Sequence, residues 1–123
     1  ASDVYKRQML RNALSAAGVV PADQLRLVED GTRVRIAGVV THRQHPSTAG
    51  GVTFLGMEDE TGLMNVVISV GLWNRQRVVA RTAKAMIVRG IVQNASGAVS
   101  IVADRLEPLE MGEWLTRGSR DFR

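Results

Sequence analysis

Residues 51–67, Gly-Val-Thr-Phe-Leu-Gly-Met-Glu-Asp-Glu-Thr-Gly-Leu-Met-Asn-Val-Val, constrain the fold more than any other stretch: they read as two short strands joined by a tight acidic turn. A strand sends successive side chains to opposite faces, so Leu55 and Met57 share one face while Phe54, Gly56 and Glu58 share the other. Asp59, Glu60, Thr61 and Gly62 supply the turn chemistry. In the second strand Met64, Val66 and Ile68 point inward and Asn65 outward. Phe54 therefore falls opposite the core-facing side chains, in a chain with two Phe, two Trp and one Tyr. An aromatic on a solvent face calls for a partner, and a nucleobase is one that stacks well.

The same period of two recurs on either side. Residues 32–41 alternate Val34, Ile36 and Val40 against Arg33, Arg35 and Thr41, a half-buried first strand in which Gly38 predicts a bulge or sharp bend. Residues 42–51, with His42, Arg43, His45, Pro46 and two glycines, read as a polar loop. Residues 71–83 are rich in helix formers, with Leu72, Val79 and Ala83 along one stripe. Strands follow at 84–93 and 98–106, joined by a turn at 94–97. Before the first strand, residues 9–17 show helical spacing that Gly18 ends, and 21–25 open a second helical turn, so 9–31 form a helical connector.

The expectation is a mainly β chain: a five-stranded barrel in the order β-β-β-α-β-β over residues 32–109, with a short helical lead-in and an irregular tail at 110–123. That is the layout of the oligonucleotide-binding (OB) fold, whose strands 2 and 3 and loops 1–2 and 4–5 contact ligand.

Composition narrows the function. With 123 residues the chain suits one domain. Without Cys it has no disulfides or thiolate metal sites, and the expected compartment is cytoplasmic. No apolar run approaches the roughly 20 residues of a membrane helix. Net charge is +4, a balance that suits a polyanion. Residues 3–8, Asp-Val-Tyr-Lys-Arg-Gln, resemble the translated end of a transposon used to prepare sequencing libraries; residues 1–8 are therefore set apart as non-native, which lowers the charge by one.

Candidate contacts follow from placement. Phe54 would stack on a base, and Asn65 on the neighbouring strand would hydrogen-bond a base edge or merely solvate the sheet. Arg43 in the first loop, Arg33 and Arg35 on the first strand and Arg89 on the fourth would neutralise phosphates or form a solvated charged face, and Thr41 and the loop residue His45 join them as nucleic-acid-binding candidates. The spacing of His42 and His45 within a loop does not suit a tetrahedral metal site, and Glu58, Asp59 and Glu60 serve a turn rather than a two-metal centre. No catalytic triad, P-loop or dinucleotide fingerprint occurs, and no cofactor or small-molecule substrate is expected.

The segments Gly-Val-Val-Thr-His-Arg-Gln at 38–44, the hairpin at 51–62, Asn-Val-Val at 65–67, Leu-Trp at 72–73, Val-Arg-Gly at 88–90, 92–97 and the closing Ser-Arg-Asp-Phe-Arg at 119–123 resemble the C-terminal end of error-prone C-family bacterial DNA polymerases. The resemblance runs from about residue 9 to residue 123 and implies a non-catalytic single-stranded-DNA-binding barrel of a translesion enzyme, whose nucleotidyl-transfer chemistry lies elsewhere in the parent. It also implies two partners: an inactive Y-family-like accessory protein of the mutasome and, through it, the sliding clamp. A protein-docking module that never touches DNA is the alternative. The hairpin is similar, more broadly, to the anticodon-binding barrels of class II aminoacyl-tRNA synthetases. There the residues matching Phe54 and Asn65 stack on and read anticodon bases; Glu58 stands where those barrels carry Arg, which argues against tRNA reading.

Overall fold

The computed structural model describes residues 18–46, 50–95 and 98–109; the segments 1–17 and 110–123, with the helix expected at 9–17 and the tail, lie outside the described residues. Five strands, β1 (Arg33–Gln44), β2 (Thr53–Asp59), β3 (Gly62–Ile68), β4 (Ala85–Ala95) and β5 (Ala98–Pro108), close into a barrel in the order β1-β2-β3-β5-β4. Neighbours pair antiparallel except β3 and β5, which meet in parallel at Val66↔Ile101 and Val67↔Val102. Two short helices, α1 (Val70–Arg75) and α2 (Arg77–Thr82), lie between β3 and β4. The expected OB barrel and its element order are what the chain forms.

The first strand is the pivot. Its N-terminal half pairs with β4, from Arg33↔Ile91 to Val39↔Ala85, and its C-terminal half with β2, from Val39↔Glu58 to Gln44↔Phe54. Between Val40 and His42 the register shifts, leaving Thr41 as a bulge. One extra residue reverses the parity of everything after it. Upstream, Val34 and Ile36 are buried while Arg33 and Arg35 are exposed; downstream, His42 and Gln44 are exposed. The bend expected at Gly38 is thus at Thr41 instead. Gly38 keeps its place opposite Met86, and a Cβ there would strike the Glu58 carbonyl of the crossing strand.

Inward positions of all five strands make the core: Ile36, Leu55, Met57, Val66, Ile68, Met86, Val88, Val92, Ile101 and Leu106 are almost fully buried. Each such side chain contributes about 1.5–3 kcal/mol of transfer free energy. Leu72, Trp73 and Ala80 close one end. The helix expected over 71–83 is broken at Gln76, whose backbone leaves helical geometry at φ −120° and ψ 39°. Its side-chain amide pairs instead with β5: Nε2 donates to the Leu106 carbonyl at 2.7 Å and Oε1 accepts from the Leu106 N–H at 2.8 Å.

Packing begins before residue 32, earlier than the sequence-drawn boundary. A 3₁₀ helix, Ala22–Leu27, inserts Leu25 into the core, and the Val20 N–H donates to the Arg35 carbonyl at 2.8 Å on the free edge of β1. The hairpin turn holds this lead-in. Asp59 Oδ2 accepts from the Ala22 N–H at 2.9 Å, while Oδ1 accepts from the N–H groups of Thr61 at 2.8 Å and Gly62 at 3.1 Å. That use agrees with the turn role read for the acidic run, and it explains a buried carboxylate by its donors.

Candidate nucleic-acid interface

Across β1, β2 and β3 the outward positions form three rows. Gln44, Phe54 and Val67 make one; His42, Gly56 and Asn65 the next; Val39, Glu58 and Leu63 the third. Paired residues in a ladder share a face, so these side chains stand together on one outer surface. Phe54 is 51 % exposed, and Asn65 lies diagonal to it. The two residues read from the sequence as a stacking and an edge-reading group thus occupy one face of adjacent strands.

Sequence reasoning missed His42. Its imidazole occupies the space above Gly56 that a side chain would otherwise fill: a Cβ there would overlap Cε1, Nδ1 and Nε2 of the ring. Nδ1 is 3.3 Å from the Thr41 hydroxyl. The readable signal was Gly56 itself, since a glycine at an outward strand position marks a close approach by another group. Thr41 stands at the bulge with its hydroxyl beside the ring.

Arg43 takes a different place from the expected one. The bulge turns it toward the end of the barrel, where Nε donates to the Ala80 carbonyl at 2.7 Å and Nη2 donates to the Ala83 carbonyl. A cation at the C-terminal end of α2 suits the orphan carbonyls there. Burial pushes its pKa down from the ordinary guanidinium value, and the group stays charged. It clamps the helical insert, from a position on β1 rather than in an open loop. His45 is likewise engaged: Nδ1 lies 2.7 Å from Thr53 Oγ1, and the ring stacks on Trp73 at 4.0 Å and 14°.

The remaining arginines lie on another face. Arg35, Arg89 and Arg105 stand opposite one another across β1, β4 and β5, with Arg33 two residues along. Asp104, set out of register by a second bulge, accepts from Arg89 Nε at 2.6 Å, and its other oxygen lies 3.4 Å from Arg33 Nε. Arg105 pairs with Glu107 at 3.4 Å. Arg33, Arg35 and Arg89 therefore do not join Phe54 and Asn65. Among the described residues no three His, Asp or Glu side chains gather closely enough to hold a metal.

With this geometry in hand, residues 34–109, more than half of the chain, match the family described as OB-fold nucleic acid binding domain. The chain belongs to that family. Its relatives sharpen the placement. The chain is 72% identical over 122 residues to an error-prone DNA polymerase of Corynebacterium efficiens, covering 98% of this chain and 11% of that protein. It is 68% identical to the error-prone DNA polymerase of Corynebacterium glutamicum, covering 99% of this chain, which takes in residues of the segment 1–8, and 12% of the relative. The chain thus spans about an eighth of the length of these relatives. Among solved structures it resembles the asparaginyl-tRNA synthetase of Pyrococcus horikoshii, with 25% identity and a TM-score of 0.60 over 74% of this chain and 22% of that one.

Proposed function

We propose that this OB domain binds single-stranded DNA, as a non-catalytic template-contacting module of an error-prone translesion polymerase acting in damage-induced mutagenesis in the cytoplasm. Phe54 stacks on a base and Asn65 hydrogen-bonds a base edge. One observation carries the reading: a half-exposed aromatic stands beside an exposed amide on the β2–β3 surface of a nucleic-acid-binding fold. The high identity to error-prone polymerases supports the parent, whose accessory protein and sliding clamp are the proposed partners. Arg33, Arg35 and Arg89 assist from the neighbouring face. Leu63, 72 % exposed, and Val52, 39 % exposed, favour a second reading in which the same surface docks a protein.

Titrating the chain into fluorescent single-stranded DNA at two salt concentrations separates them. Binding should weaken on Phe54→Ala by about 1–3 kcal/mol, the measured range for base stacking. Absence of binding at both salts, in a folded protein, contradicts the DNA reading and favours docking.

A further inference from the structure

We infer that His42, seated on Gly56, forms a second nucleobase subsite beside Phe54, so that the surface holds two successive bases of an extended strand. The inference rests on the DNA-binding reading above and adds to it a residue, a backbone requirement and a footprint. Three observations combine. The bulge at Thr41 brings His42 to the outer face. The absent side chain at Gly56 lets the imidazole settle over β2 in the place of a Cβ, instead of standing off β1. And Gly56 is two residues from Phe54 along β2, so both rings lie above the same strand.

Spacing sets what such a pair accepts. Two strand residues rise about 6.7 Å, roughly twice the 3.4 Å between stacked nucleotides of one DNA strand. Bases lying on both rings are therefore unstacked from each other, the splayed arrangement by which single strands are read. Imidazole, like phenyl, presents a π-face to a base. Asn65, directly across from Gly56, then lies beside the base over His42 as well as diagonal to the one over Phe54. Around His42 the facing groups are the Thr41 hydroxyl, Gln44 on its own strand, Glu58 on β2 and Asn65 on β3.

The test uses the 123-residue chain, a short oligothymidylate, and the same strand with every second residue abasic. The wild type should prefer the intact strand, since only that strand fills adjacent subsites. His42→Ala should bind the intact strand about five-fold more weakly, the lower end of the stacking range, and should lose the preference over the abasic strand. Gly56→Ala should do the same by displacing the ring, and the double variant should be no weaker than either single. Thermal melting checks the fold of each variant; His42→Ala, an exposed substitution, carries the test if Gly56→Ala is unstable. If Phe54→Ala weakens binding and His42→Ala does not, the second subsite is wrong and the DNA-binding reading stands. If the wild type binds neither strand, both fail.

Discussion

The two outer faces of this barrel share one strand and differ in almost everything else. Over β1, β2 and β3 the outward rows hold Phe54, His42, Asn65, Gln44, Val67 and Leu63, with Glu58 as the one charged side chain and no Lys or Arg. Over β1, β4 and β5 stand Arg33, Arg35, Arg89 and Arg105, with Arg33 and Arg89 held against Asp104 and Arg105 against Glu107. The bulge at Thr41 makes the division, because it decides which residues of β1 face out on each side. Stacking groups and guanidinium groups are thereby kept apart. A ligand on the first face is held by π-contacts and hydrogen bonds, and its affinity should depend only weakly on salt.

The comparison breaks most visibly at Arg43, which belongs to neither face. Arg43→Met should lower the unfolding free energy by about 2–3 kcal/mol in chemical denaturation, because two charge-assisted bonds to the Ala80 and Ala83 carbonyls are lost. Binding per folded molecule should stay unchanged; a large loss of DNA affinity with unchanged stability would return Arg43 to the interface. Phe54→Ala should show the converse, a loss of about 1–3 kcal/mol in binding with little change in melting.

Smaller effects sharpen the second face. Asp104→Asn removes the carboxylate shared by Arg89 and Arg33 and should cost about 1 kcal/mol of stability. DNA binding should keep its weak salt dependence, since the guanidinium groups released lie on the face away from the stacking groups. A slope that steepens by about 0.7 per released guanidinium would bring this face to the phosphates of a single strand. Arg33→Gln, at an exposed ion pair, should change stability by less than about 0.5 kcal/mol and leave the platform's affinity intact.

Most of the barrel was legible because period-two alternation survives in β2, β3 and β4, and the acidic turn announces the hairpin. Phe54 and Asn65 were legible for the same reason. What escaped followed from single-residue events. A bulge at Thr41 is invisible to alternation, which simply continues, so Arg43 was read as a loop cation and His42 as a loop polar group. Gln76 breaks a helix not by poor propensity but by pairing with Leu106, thirty residues away. Leu25 sits on a six-residue helix too short to carry a periodic signal, yet it is buried in the core. Long-range contacts decide each of these, and local pattern does not contain them.

The most direct measurement is a heteronuclear NMR titration of the 123-residue chain with a short single-stranded oligodeoxynucleotide, following Phe54, His42 and Asn65 against the guanidinium signals of Arg33, Arg35 and Arg89. Base stacking on the β1–β2–β3 face predicts large ring-current shifts at His42 and Phe54 and a shifted Asn65 side-chain amide, with the arginine signals almost still. Shifts confined to the arginines, with the platform unmoved, would contradict it.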